Sequence, residues 1–566
     1  MRYMILAILC IGSILWFAIQ PVESSWSETD ISFTYAIYGL SVVAIVMLFL
    51  QKRYISFSVI DTIVCLWFLY VFLRAYFDPT YPCAPFCLRV IQMFTLYIGL
   101  RLLFSSTEIP ERLIVAGIII CAFYEVIIGA KQIINDSSRH NLYAITGTFL
   151  NPGPYSAFLS LGLVMSSQIK KGYWLPVIFA ILLPATWSRA ALVSTVVCLG
   201  IIYWKQIKQW KWTLAIGGFI AITGLYFLKQ GSADGRSIIY LISLRCIGNA
   251  PMFGSGIGSF CHQYAEGMAS FYHQHPSFNY QSADVIESAY NCLLQIGVEQ
   301  GLIGIGFAII LVILLFIRLS KKGETLKMGL LSLLIFSMFS YPFDQLPYQI
   351  IFILITAYAA TERREIIFSK WWKTWHQKVL LPVAALGCIL VFSNFVLKDI
   401  KVREKAESDY KMMAGMTHSA FIDDYYELFP LMTSNKHFLY DFAKMLSFDG
   451  RYNDSNAVLH IGTLVSNDPM FYVIQGNNYS EMGLPKDAEN AYKKAFSIMP
   501  NRLYPLYQLM LLYEKEGDIG KMTEMAQQVI AFKEKIASPA TREMKKKTNI
   551  IVNQYKIPQF GIRFCS

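Results

Sequence analysis

Apolar residues in this chain fall into long blocks, separated by short polar stretches. About thirteen blocks of roughly 15 to 28 residues can cross a bilayer as helices, because about 20 apolar residues span its hydrocarbon core. They run approximately 3–20, 33–50, 57–77, 88–104, 112–130, 154–169, 173–186, 188–204, 212–228, 291–318, 327–341, 345–360 and 379–397. The pattern predicts an all-α fold: a polytopic membrane domain of about 12–13 transmembrane helices over residues 1–397, then a charged, tyrosine-rich helical domain over 400–566.

Composition agrees. Of 566 residues 55% are hydrophobic and 15% charged, with 39 Phe and 34 Tyr, which is too much apolar surface for an ordinary soluble fold. The first block follows only Met1 and Arg2, like a signal peptide, but no small-residue cleavage site follows, so it reads as a retained helix.

Lysine and arginine in short loops favour the cytoplasm. With the N-terminus inside, the inner gaps hold Lys52, Arg53, Arg101, Arg112, Lys170, Lys171, Lys205, Lys208, Lys211, Arg318, Lys321, Lys322, Lys327, Arg363, Arg364, Lys370, Lys373 and Lys378. The outer gaps hold only Arg74, Arg89, Lys131, Arg139, Arg189, Lys229, Arg236 and Arg245. This bias supports thirteen crossings and an external C-terminal domain. It also accounts for the net charge of +11 without invoking nucleic acid.

Most of the eleven cysteines lie in apolar blocks; Cys83 and Cys87, in an external loop, either pair in an oxidising space or remain two thiols. Neither metal-ligand spacing nor a cofactor motif appears, so no metal and no cofactor is expected. In the C-terminal domain Gly450, Gly483 and Gly517 recur at spacings of 33 and 34, the period of tetratricopeptide units. Tyr472, Gly476, Tyr479, Ala488, Tyr492, Ala495 and Pro500 occupy the packing positions of the best unit. Such a solenoid would offer a concave surface to a protein partner; a generic helical domain is the competing reading.

The longest hydrophilic connection in the membrane part, about residues 229–290, carries His262, His273, His275, Asp284 and the run Gly254-Ser255-Gly256-Ile257-Gly258. No βαβ unit flanks the glycines, so they predict a tight turn at the membrane surface rather than a dinucleotide site. Asn151, Arg189, Arg236, Arg245 and Glu287 all fall on the outer side. Arginines converging there suit a phosphate-bearing substrate, and a carboxylate beside them suits a general base towards a hydroxyl. Each has a plainer reading: Arg189 snorkelling from a helix end, Arg236 and Arg245 as solvated charges, and Glu287 at the entry to a helix.

Several of these stretches carry a resemblance. Thr146-Gly147-Thr148-Phe149-Leu150-Asn151-Pro152, Ser188-Arg189-Ala190, Gly235-Arg236, Asn249 through Phe260, Leu294 through Gly304 and Ser340 through Pro347 together resemble the O-antigen ligase and polymerase superfamily, over about residues 140–345. The resemblance implies an inverting, metal-independent glycosyltransferase of the bacterial inner membrane, acting on the periplasmic face. Its donor would be a glycan on undecaprenyl diphosphate, reached from the membrane lipids, and its acceptor a lipid, a protein or another glycan. Arg189 and Arg236 match the arginines that hold the diphosphate. Where ligases of the family have a His-Asn pair with the histidine as base, this chain has Tyr290-Asn291. A tyrosine is a poor base at neutral pH, which leaves Glu287 as the expected base, with His262, His273 or His275 as alternatives. A polymerase or an inactive member would also fit the departure. Two readings outside this family are a polysaccharide or lipid transporter and a non-catalytic membrane anchor for the repeats.

Overall fold

A computed structural model describes residues 2–23, 26–51, 57–169, 172–210, 230–361, 375–414, 421–535 and 538–555. The block at 212–228 and the basic residues Lys52, Arg53, Lys170, Lys171, Lys211, Lys229, Arg363, Arg364, Lys370 and Lys373 lie outside them, as do the side chains of Lys378 and Cys388. Among the described residues the protein is all-helical, and its one β-bridge pairs His140 with Tyr143.

The first part is a bundle of α1 (Arg2–Trp16), α2 (Glu28–Gln51), α3 (Val59–Phe77), α4 (Ala84–Ser106), α5 (Glu111–Asn135), α6 (Pro152–Ser166), α7 (Leu175–Leu182) and α8 (Arg189–Ile202). After the described chain resumes come α9 (Gln230–Asn249), α10 (Phe260–Gln274), α11 (Cys292–Lys322), α12 (Glu324–Ser337), α13 (Leu346–Ala360) and α14 (Trp375–Met413). Contacts between helix ends sort these termini onto two faces. On one, Val22 N–H bonds Thr148 O (3.0 Å), Arg89 pairs with Asp30 (2.6 Å) and Asn151 Nδ2 bonds Tyr341 Oη (3.3 Å). On the other, Arg101 pairs with Asp61 (2.8 Å) and Lys322 Nζ bonds Thr361 O (3.0 Å).

The expected thirteen crossings are not all full-length helices. Among the described residues six helices are long and apolar enough to cross a membrane, or seven if the sharply bent pair Arg189–Ile202 and Trp204–Trp210 counts as one. The protein is therefore consistent with a multi-pass membrane protein; of the expected blocks, 212–228 lies outside the described residues. Among the described blocks, a short helix can have a packing cause. α6 has only 15 residues, and 14 of them are buried against α5, α7, α8 and α12. A central helix sheathed by protein can stop short of the lipid boundary, because its end groups find partners inside the protein. Small residues let these helices approach: Ser160 Oγ lies 3.1 Å from Ser332 Oγ, and Thr195 Oγ1 donates to Ser160 Oγ at 2.8 Å.

The 229–290 connection is not an irregular loop, since α9 and α10 occupy most of it. Ile238, Ile242 and Cys246 on one helix pack against Phe260, Tyr264, Met268 and Phe271 on the other. These positions recur every three or four residues, the spacing of an amphipathic helix face.

The boundary near residue 397 is crossed by a continuous helix. α14 packs Val396 and Ile400 against Leu88 of the bundle, then buries Ala406 and Tyr410 in the core of the C-terminal region. That region stacks α15 (Ile422–Met432), α16 (Lys436–Phe448), α17 (Tyr452–Val465), α18 (Met470–Glu481), α19 (Pro485–Ile498), α20 (Tyr504–Lys515), α21 (Ile519–Ala531) and α22 (Pro539–Gln554), each against the next. Gly450, Gly483 and Gly517 turn the α16/α17, α18/α19 and α20/α21 pairs at φ 78°, 72° and 75°, a conformation that favours glycine. Gly476 lets the Tyr492 ring lie on α18, and Ala488 and Ala495 are fully buried beside it.

Candidate functional site

The island at Thr146–Thr148 sits deep in the protein. Gln132 Oε1 on α5 accepts from the backbone N–H of Thr146 (2.9 Å) and Gly147 (2.8 Å), and Glu125 accepts from Thr148 N–H (3.0 Å) and its hydroxyl (2.6 Å). Gly147 turns at φ 60°, where a Cβ would strike Glu125 and Tyr155. Arg139 donates to Thr148 O (2.5 Å) and ties it to the end of α1 through Val22 O (3.1 Å). This clasp has no capacity left for a substrate. Its effect is positional: it sets the entry to α6 and so holds Asn151.

Asn151 opens onto a cavity of about 430 Å³ on the same face of the bundle, a volume in the range of small-molecule sites. Its walls include Tyr290, Tyr341, Asp344 and Glu287 on one side, and Arg89 with Asp30 on the other. Lys436 of α16 reaches in from the C-terminal region. Asn151 holds Tyr341, whose ring meets that of Tyr290 edge-on at 5.4 Å between centroids. The Arg236 guanidinium lies over Tyr290, 5.6 Å from its centroid. Arg189, first residue of α8, feels the like charge of Arg236. The two arginines read as phosphate ligands are thus brought together, one aromatic ring away from the cavity.

The backbone at this point is strained. Among the described residues three non-glycines have positive φ, and two of them flank the site: Trp187 (51°), two residues before Arg189, and Tyr290 (50°). Such conformations cost roughly 1–3 kcal/mol each and cluster at functional sites. At Tyr290 the surroundings enforce it: its carbonyl accepts from Tyr240 Oη (3.2 Å), and Asn291 caps α11 by accepting from Leu293 and Leu294 N–H (3.0 and 3.2 Å).

Three expected roles change. Arg245 lies nine residues from Arg236, which places it on the opposite side of α9. It stacks on Phe271 (4.6 Å) and bonds Gln274 (3.0 Å), away from the cavity. Glu287 is ion-paired with Lys436 at 2.5 Å, with its side chain 77% exposed, and Asn291 rather than Glu287 caps the following helix. The histidines do not line the cavity: His262 Nδ1 lies 2.9 Å from Thr463 O, and His275 sits near Arg245. Burial raises the pKa of Tyr290, with Arg236 opposing, so its hydroxyl is a still poorer base than a free tyrosine.

Asp344 was not foreseen. It ends a short 3-10 turn, Pro342–Asp344, between α12 and α13, and lines the cavity. Its pKa is raised to about 7, first by desolvation and then by the charge of Glu287, although the residue is exposed on the cavity wall, which tempers the desolvation. The available signal was a single carboxylate between two apolar helices, inside the Ser340–Pro347 stretch.

The glycine run packs against a break in α11. Ser255 and Gly256 N–H bond the Val298 and Glu299 carbonyls (2.7 and 3.2 Å), and α11 kinks at Gly301, φ 68°. A side chain at Gly254 would strike the backbone of Glu299 and Gln300, so the run serves close approach as well as turning.

The segment between α10 and α11 also carries the C-terminal region. Asn467 bonds Ile286 N–H (3.0 Å), Asn501 bonds Ala283 O (2.7 Å) and Lys494 pairs with Glu266 (2.6 Å). Among the described residues no group of three or more His, Cys, Asp or Glu is arranged to hold a metal ion. No protein-family model matches this chain, and no curated relative matches it either.

Proposed function

We propose that the protein is an inverting membrane glycosyltransferase of the O-antigen ligase and polymerase type. It moves a glycan from undecaprenyl diphosphate to an acceptor hydroxyl on the periplasmic face of a bacterial inner membrane. The observation that carries this reading is that Arg236 lies over Tyr290, which lines the 430 Å³ cavity, and is close enough to Arg189 for each to feel the other's charge. Guanidinium forks gathered on one face suit a diphosphate, whose oxygens they pair with in a fixed geometry. As the glycosyl–oxygen bond breaks, negative charge grows on the leaving phosphate, and fixed guanidinium groups stabilise that charge most in the transition state. The α15–α22 stack, read as tetratricopeptide-like repeats, would bring the acceptor or an assembly partner to the Lys436 side of the cavity.

Full-length protein in liposomes, given an undecaprenyl-diphosphate glycan and an acceptor, should form transfer product. Movement of the lipid without transfer would favour a transporter, and neither would favour an anchor. A reporter active only outside the cytoplasm, fused at about residue 420, should be active; an inactive fusion overturns the periplasmic placement.

A further inference from the structure

We propose that Asp344 is the general base of this transfer, an assignment that rests on the glycosyltransferase reading above. Its carboxylate takes the proton of the acceptor hydroxyl while that oxygen bonds the anomeric carbon. The bond from that carbon to the phosphate breaks on the opposite side, and its electron pair leaves with the diphosphate beside Arg189 and Arg236. The configuration inverts, and Asp344 then releases the proton to water.

Geometry selects this residue. Asp344 lines the same cavity as Asn151, Tyr290 and Tyr341, and among the described residues no side chain hydrogen-bonds or ion-pairs its carboxylate. Its placement is rigid: Gln345 N–H bonds Pro342 O (3.0 Å) and Gln349 Nε2 bonds Phe343 O (2.7 Å), pinning the turn on both sides. The other basic groups on the cavity are engaged elsewhere. Glu287 is ion-paired with Lys436 at 2.5 Å, and Asp30 with Arg89 at 2.6 Å.

Its electrostatic setting suits the role. The titratable groups around it are Glu287 and Tyr290 ahead of α11, Cys292 and Glu299 on α11, Cys261 on α10, Tyr341 beside it and Lys436 from α16. Glu287 adds like charge that favours the protonated form, so the carboxylate titrates near neutrality, where a general base is most effective.

The test uses full-length protein in liposomes with an undecaprenyl-diphosphate glycan and compares wild type, Asp344→Asn, Asp344→Glu and Glu287→Gln. Asp344→Asn should lose at least about 100-fold in turnover while donor affinity changes less than about threefold. Asp344→Glu should recover part of the rate, and Glu287→Gln, which removes the like charge beside Asp344, should move the rise of the rate to lower pH. The wild-type rate should rise with pH through about 7, and that ionisation should vanish from the residual rate of Asp344→Asn. An Asp344→Asn enzyme within tenfold of wild type, or one keeping the same pH profile, overturns the assignment and leaves the transferase reading standing. A wild type that transfers nothing overturns the transferase reading, and this assignment with it. If Asp344→Asn does not assemble, infrared titration of the wild type and Asp344→Glu decides: a carboxyl band ionising near pH 7 in the wild type that is shifted in Asp344→Glu supports the proposal, and the absence of any shifted band refutes it.

Discussion

Thr146–Thr148 and the Tyr290, Tyr341 and Asp344 wall lie on one face of the same bundle, each between apolar helices, and they use their polar groups in opposite ways. In the first, Glu125 and Gln132 meet the backbone of the island, leaving a closed hydrogen-bonded knot. In the second, a carboxylate, an amide and two phenols border open space, with two arginines converging behind them. Polarity inside a membrane bundle therefore has two meanings. Where the partners are all supplied by the protein, the island is part of the framework; where they stop short, it can receive a ligand.

Substitutions in the two regions should separate activity from stability, and the largest effect belongs to the arginines. Arg236→Ala is expected to lower transfer by about 10²–10³-fold while the thermal midpoint in detergent stays unchanged; near-normal transfer would remove the cavity from the mechanism. Glu125→Ala should do the reverse. It leaves Thr148 N–H buried without an acceptor, a loss of about 1.5–3 kcal/mol, read as a lower midpoint and lower yield. An unchanged midpoint would mean the knot is not framework. Gly147→Ala forces a Cβ onto Glu125 and Tyr155 at φ 60°, and about 1–3 kcal/mol of destabilisation follows from the backbone alone.

Asp344 sharpens the comparison through pH. Its folded pKa lies above the ordinary carboxylate value, so its contribution to stability is fully present below about pH 4 and is lost as pH rises through about 7. Asp344→Asn should therefore melt higher than wild type at pH 8, with the gap narrowing towards pH 5; a gap independent of pH would show that the carboxylate is not desolvated. The smallest effect is expected at Arg245, on the far side of α9. Arg245→Ala should change transfer by less than about threefold and stability by about 0.5 kcal/mol or less, and a large loss of transfer would restore it to the site.

Much of the architecture was legible in the sequence. Long apolar blocks and the change of character near residue 400 announced a helical bundle followed by a charged helical region, and the glycines at 450, 483 and 517 marked turns that the structure places at positive φ. The shortness of α6 was not legible, because hydropathy cannot distinguish a helix that faces lipid from one that faces other helices on every side. The site was legible in part. Arginines are conspicuous between apolar blocks, and Arg189 and Arg236 stand out on that ground alone. Arg245 stands out equally, and only the turn of α9 separates it from Arg236. Glu287 looked like a free carboxylate because its partner, Lys436, lies 149 residues away.

By itself the sequence determined the helical class, the order of apolar and polar stretches, and the small set of charged residues placed among them, because those follow from local composition and the period of one helix. Tertiary structure alone decided which of those charges meet. It joined Arg189 to Arg236, closed Glu125 over Thr148, gave Lys436 to Glu287 and left Asp344 facing the cavity without a partner. Pairing is settled by distance across the bundle, so Glu287 is engaged by Lys436 while Asp344 meets open space on the cavity wall.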